Sequence, residues 1–247
     1  MFAGKTVSLV LPTYNEKDSI RQVIRDFEAL RVVDEILVIN NNAVAGTSEQ
    51  VAGTSAIEIH EPEQGYGAAI QRGFRDATGD LIAVCEPDAT FVARDILKLL
   101  EFSTDVEVVY GTRTVTNFIW EGANMGHFLR WGNWAVAKLI EVLFNTNSLS
   151  DVGCTYRVIR RESLLKIQDK FRIKSNIFGP EMMILGYQAG IRSVQIPVNY
   201  RGRVGTSSVT GDLKKAFRLG IQMILLIGSA RLKIASTTLP LIERILR

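Results

Sequence analysis

Two cysteines and two histidines are all that this chain of 247 residues holds of the usual zinc-binding side chains. Cys85 and Cys154 stand far apart and His60 and His127 are scattered, which excludes a disulfide framework and a histidine-based metal centre. With no paired cysteines, a reducing, cytoplasmic setting is the expectation. The first five residues run straight into an apolar stretch, so no signal peptide is expected. No internal repeat or low-complexity linker is visible. In the C-terminal part the longest charge-free run, 219–230, falls far short of the roughly 20 residues that a spanning helix needs. No lysine-bearing glycine-rich loop follows the first apolar run, which removes the main support for nucleotidyl transfer.

What is present points to one large α/β domain. Hydrophobic residues make up 47% of the chain, enough for a substantial core. Net charge is only +3, yet from Arg203 onward there are eight basic residues against Asp212 and Glu243. That tail therefore carries about +6 while the remainder is mildly acidic, which marks the tail as partner-facing and gives no reason to expect nucleic acid.

Short apolar runs at 7–11, 35–39, 57–60, 81–85 and 106–110 read as strands. Between them lie helical patterns: Ile20, Val23, Ile24 and Phe27 at helical spacing, a small-residue segment over 65–77, and another over 93–100. This alternation predicts a mostly parallel sheet with helices on both faces. Further on, 122–144 and 180–190 read as helices and 194–200 as a strand. Ligands of such sheets bind beyond the carboxyl ends of the strands. Residues 12–16, 40–42 and 86–88 all lie at such ends.

Glu86-Pro-Asp88 is the most chemically pointed of these loops. Two carboxylates one residue apart at a strand end suit a hard divalent cation held against a diphosphate.

Six segments in order then resemble the family 2 glycosyltransferases of the GT-A fold, especially the dolichyl- and polyprenyl-phosphate sugar synthases. They are Leu-Pro-Thr-Tyr-Asn-Glu16, the 38–47 segment with Asn40 and Asn41, Gly65-Tyr-Gly with Gly73 and Asp80, Glu86-Pro-Asp88, Asp151 through Tyr156-Arg157, and Arg203-Val-Gly-Thr-Ser-Ser208. The resemblance implies a GT-A (Rossmann-like) catalytic domain over 1–210 and a basic amphipathic helical appendage over 211–247. It implies that Pro12, Tyr14, Glu16, Asn40, Asn41, Gly65 and Gly67 surround the nucleotide. Glu86 and Asp88 would hold Mg²⁺ or Mn²⁺, with Asp88 the more secure ligand because the family has Asp where this chain has Glu86. Arg203 would reach the phosphates of a UDP- or GDP-sugar. Asp151 would act as a general base for a hydroxyl acceptor, or as a positioning group for a phosphate acceptor. Arg113, Arg130 and Arg157 would meet an anionic acceptor, with Glu181 nearby.

The tail bears on the acceptor. Residues 213–231 mix basic side chains with a dense apolar set, which fits a helix lying in a membrane interface. The expectation is a peripheral enzyme on the cytosolic face of a membrane, alone, as a homo-oligomer or with a membrane subunit. A soluble enzyme with a hydroxyl acceptor and a non-catalytic sugar-nucleotide-binding subunit are the alternatives.

Overall fold

The computed structural model describes residues 1–123, 125–205 and 213–232. Its chain order is β1 (Val7–Thr13), α1 (Ile20–Glu28), β2 (Glu35–Asn40), α2 (Thr47–Val51), β3 (Ile57–His60), α3 (Tyr66–Asp76), β4 (Leu81–Val84), α4 (Ile96–Phe102), β5 (Val108–Thr112), α5 (His127–Phe144), β6 (Arg157–Arg160), α6 (Arg161–Leu164), α7 (Phe178–Gln188), β7 (Ser193–Pro197) and α8 (Leu213–Arg231). The strands form one sheet of seven in the order β3-β2-β1-β4-β6-β5-β7. Every neighbouring pair is parallel except those involving β6, which runs antiparallel to both β4 and β5.

The period-2 alternation of each strand feeds two cores, one per face. Val7, Leu9 and Leu11 face the layer of α1 and α4, as do Val38, Ala83 and Val158. Val10, Leu37, Ile82, Tyr110 and Ile159 face the layer of α3, α5 and α7. Both cysteines are free and buried, in keeping with the absence of a disulfide. Helix α8 sends Met223, Leu226 and Ile227, at helical spacing, into the second of these cores. Its opposite side exposes Phe217, Ile224 and Leu225. The predicted short segment at 239–246 lies outside the described residues, as do Ser208, the start of the appendage at 211–212, and the side chains of Lys214 and Lys215.

Helix α3 lies unusually close to β1. A Cβ on Gly73 would meet the Val10 Cγ1 at 2.2 Å, so only glycine permits this approach. A Cβ on Gly228, in α8, would meet nothing within 4 Å. Gly73→Ala is therefore expected to cost about 1–3 kcal/mol through overpacking. Gly228→Ala should be neutral or gain up to about 1 kcal/mol of helix propensity. Thermal melting of the two variants checks this; equal melting temperatures would contradict the packing account.

Candidate active site

The rim at the carboxyl ends of the strands is assembled by direction. Because β6 is antiparallel, its first residue, Arg157, pairs with Val84, the last residue of β4. The polar segment 151–156 that precedes β6 therefore arrives beside the turn after β4. The ends of β5 and β7 bring Arg113 and the 198–203 segment to the same rim.

Asp88 and Arg203 are locked together by backbone as well as charge. The Val204 amide donates to the Asp88 carbonyl at 3.1 Å and the Arg201 amide to the Thr90 carbonyl at 2.8 Å. Arg203 Nη2 then lies 2.5 Å from Asp88 Oδ2 and 3.2 Å from Glu86 Oε2, with Nη1 4.0 Å from Glu16 Oε1. The other Asp88 oxygen accepts from the Thr90 amide at 2.9 Å and the Thr90 hydroxyl at 2.5 Å. Ala89, between them, sits in the left-handed region at φ 64°, a local strain held by those two bonds. Asp88 Oδ2 is buried and makes no aligned hydrogen bond, so the guanidinium meets it as a charge only. A buried carboxylate oxygen left this way suits a divalent cation, with Glu86 completing the protein's share of the ligands. Among the described residues no group of three or more acidic, histidine or cysteine side chains is arranged to hold a metal ion, so these two carboxylates could supply only part of a cation's ligands.

Burial, and then the Asp88 charge, push the Glu86 carboxyl up to about 7, against the pull of the Thr155 hydroxyl and Arg203. The side chain still keeps 27% of its surface open, on the cavity side. Asp151 behaves oppositely. Burial alone would raise its pKa, but the Arg113 guanidinium and backbone amides hold it below the usual carboxylate range. Arg113 grips both Asp151 oxygens, at 2.8 and 2.9 Å, and Gly153 adds an amide at 2.9 Å. Gln195 fastens the same segment, accepting from the Asp151 amide at 3.1 Å and donating to its carbonyl at 2.6 Å.

These groups border a cavity of about 950 Å³. One end is polar, lined by Pro12, Tyr14, Glu16, Asn41, Gly65, Glu86, Arg113 and Arg203. The other is apolar, walled by Met125, Phe128 and Val136 near and on α5 and by Phe217, Met223 and Ile224 on α8. Trp120, and Trp131 and Trp134 on α5, are exposed.

Several expected roles do not fit this geometry. Asn40 turns away, donating to Glu58 at 2.6 Å and accepting from the Ala43 amide at 2.8 Å. Asn41 lines the cavity, but its amide is spent on the carbonyls of Glu61 and Glu63 and its oxygen on Gln64 and Gly65. Neither amide is available to read a base: Asn41 shapes the cavity wall, and Asn40 ties its own loop to β3. Gly67 does not reach the cavity: a Cβ there would meet the Ile173 carbonyl at 2.6 Å, and its amide donates to the Lys174 carbonyl. Gly65, at φ 153°, is equally filled by the Lys174 backbone. Glu181 is buried and accepts from the amides of Arg172 and Ile173, so it clamps that loop rather than facing a substrate. Arg130 bonds the Thr116 hydroxyl at 2.9 Å outside the cavity. Arg157 lines the cavity but is almost wholly buried, its guanidinium donating to the Thr155 and Cys154 carbonyls. Asp151, committed to Arg113 and closed off from the cavity, does not have the arrangement of a general base. Glu16 gives one oxygen to the Tyr14 and Asn15 amides and keeps the other toward Arg203.

The geometry adds residues that sequence reasoning did not single out. Thr155 donates to Glu86 at 2.6 Å, and Tyr66 bonds Thr155 in turn. Lys174 and Asn176 join the lining from an irregular segment. Tyr66 stands inside the Gly65-Tyr-Gly pattern and Thr155 inside the Asp151–Arg157 segment, the signals available; Lys174 and Asn176, in an irregular segment, carry none.

The profile of glycosyl transferase family 2 matches residues 8–168. Mycobacterial proteins described as uncharacterized glycosyltransferases, from Mycobacterium tuberculosis and Mycobacterium bovis, are 30% identical over 86% of this chain and 93% of theirs. The low-salt glycan biosynthesis hexosyltransferase Agl6 of Haloferax volcanii is 27% identical over 83% of this chain, which spans 50% of that protein. Among solved structures, glucosyl-3-phosphoglycerate synthase from M. tuberculosis, bound to Mn²⁺, uridine diphosphate and phosphoglyceric acid, superposes with a TM-score of 0.71 at 17% identity, covering 95% of this chain and 81% of its own. A second structure of that enzyme holds Mg²⁺ and uridine diphosphate and gives a TM-score of 0.70 at 17% identity, over 95% of this chain and 82% of the other. These structures share the fold.

Ionising a carboxylate whose folded pKa lies above its ordinary value near 4.5 costs stability. The cost of charging Glu86 is absent below that value and grows as pH rises toward about 7. The metal-free protein is expected to lose thermal stability across that window, and Glu86→Gln, neutral throughout, to flatten the slope. An unchanged slope in Glu86→Gln would contradict the assignment.

Proposed function

The chain belongs to glycosyl transferase family 2, and from that premise we propose that it moves a sugar from a nucleotide-sugar donor to the phosphate of a polyprenyl lipid. The reading rests on one observation: a single cavity joins the carboxylate–arginine rim to apolar walls on α5 and α8. A donor diphosphate suits the first end and a lipid chain the second.

Mg²⁺ or Mn²⁺, held by Asp88 and Glu86, would neutralise the leaving diphosphate; similar structures carry either ion with uridine diphosphate. Pro12, Tyr14 and Glu16 would surround the base, with the free Glu16 oxygen accepting from a base N–H. Arg203 would release the carboxylates and turn to the phosphates, its charge following the one that develops there. An acceptor phosphate oxygen would form its bond to the anomeric carbon as the carbon–oxygen bond to the diphosphate breaks, with inversion. Such a nucleophile is already anionic and needs no base, which agrees with Asp151 being committed to Arg113. Arg113, which lines the cavity beside Glu86 and Arg203, would meet the acceptor phosphate, and Arg157, also in the lining, would add positive potential.

Membrane attachment belongs to the same proposal. The exposed Trp120, Trp131 and Trp134 on or near α5 and the outer face of α8, the two helices that supply the cavity's apolar walls, offer amphipathic and apolar side chains to an interface. No helix among the described residues is long and apolar enough to cross a membrane, so contact would be interfacial.

The test offers the full chain UDP- and GDP-sugars with Mn²⁺ and three acceptors: a polyprenyl phosphate in vesicles, the matching polyprenol, and 3-phosphoglycerate. Transfer to the lipid phosphate alone is expected, abolished by chelation. Transfer to phosphoglycerate or to the polyprenol in preference would overturn the acceptor class.

A further inference from the structure

Glu86 has one methylene more than aspartate, and that extra reach demands a restraint if its carboxylate is to face the cavity beside Asp88. The structure supplies one. Three segments far apart in sequence meet at this side chain: the turn after β4, the segment before β6, and the first turn of α3. Glu86 Oε1 accepts from the Thr155 hydroxyl at 2.6 Å, and the Thr155 hydroxyl is bonded to Tyr66. The Thr155 backbone is itself pinned, its carbonyl accepting from Arg157 Nε at 3.1 Å, and its side chain is buried.

The direction of this chain follows from proton counting. A threonine hydroxyl has one proton to give. An ionised Glu86 can only accept, so Thr155 donates to it, and Tyr66 must donate to Thr155. Tyr66 can always do so, because burial drives its phenol above the ordinary range and keeps it protonated. With Oε1 held this way, the remaining oxygen, Oε2, turns to the side where Arg203 now lies.

We propose that Thr155 and Tyr66 are positioning residues that hold Glu86 so that its long arm presents one oxygen, next to Asp88 Oδ2, to the metal–diphosphate group. The proposal rests on the donor reading above. Partners of this kind, behind a metal ligand, set affinity by orientation, and their loss costs about 10- to 100-fold in metal binding.

The experiment is a calorimetric titration of Mn²⁺ into the full chain with saturating UDP. Thr155→Val should weaken Mn²⁺ binding by about 10-fold, and Thr155→Ser should restore it to within about 2-fold. Tyr66→Phe, which leaves the Thr155 hydroxyl in place but free to rotate, should cost less, about 3-fold. In a Glu86→Ala chain, Thr155→Val should add less than about 2-fold, because the group it acts through is gone. An equal loss in the Glu86→Ala chain, failure of the serine variant to restore binding, or unchanged affinity in both Thr155→Val and Tyr66→Phe would overturn the positioning role. If Thr155→Val does not fold, Tyr66→Phe in the two backgrounds decides alone. Absence of UDP-dependent Mn²⁺ binding by the unaltered chain would instead remove the donor reading itself, and this inference with it.

Discussion

Two carboxylates at the end of β4, one fully buried and the other largely so, cannot both be charged without a cation, and the rim of this molecule is organised around that constraint. Arg203 is the cation on hand, 2.5 Å from Asp88 and 3.2 Å from Glu86. Its segment is stitched to the Asp88 turn by two backbone hydrogen bonds, so the counter-charge arrives with the fold. Glu16 leans on the same guanidinium from the loop after β1. Burial and the Asp88 charge still push the Glu86 carboxyl above its ordinary range. A divalent cation held by these two carboxylates, as proposed above, would relieve that strain.

Strand direction makes the cluster possible. Were β6 parallel to its neighbours, Asp151, Thr155 and Arg157 would enter the sheet from the opposite edge, far from Glu86. Its reversal brings the Arg113–Asp151 pair and the Thr155 hydroxyl to the rim together. Asp151 then carries a structural duty: breaking a buried pair of this kind typically costs about 3–5 kcal/mol, because the surviving charge has no partner.

Much of this was legible in the residues. Short continuous apolar runs located the strands before residue 112, helical spacing located α1, and the acid pair after β4 marked the rim. Strand direction was not legible, since the Arg157–Arg160 run reads alike either way; only pairing reveals the reversal. Side-chain economy was hidden too. Asn40 and Asn41 carry the right groups to read a base, but the backbone of residues 61–65 and the side chain of Glu58 use them first. Glu181 and Gly67 went the same way, each recruited to fix the 172–174 loop. A polar residue at a strand end serves whichever partner lies nearest, and distance appears only in the folded chain.

The central claim is that Arg203 occupies the charge position that the metal and donor claim. It is tested most directly by titrating Mn²⁺ into the unaltered chain and into Arg203→Gln, each with and without UDP, and following free Mn²⁺ by electron paramagnetic resonance. The account predicts that Arg203→Gln binds Mn²⁺ alone more tightly than the unaltered chain, yet gains less from UDP. Identical Mn²⁺ affinity without UDP in the two proteins would contradict it.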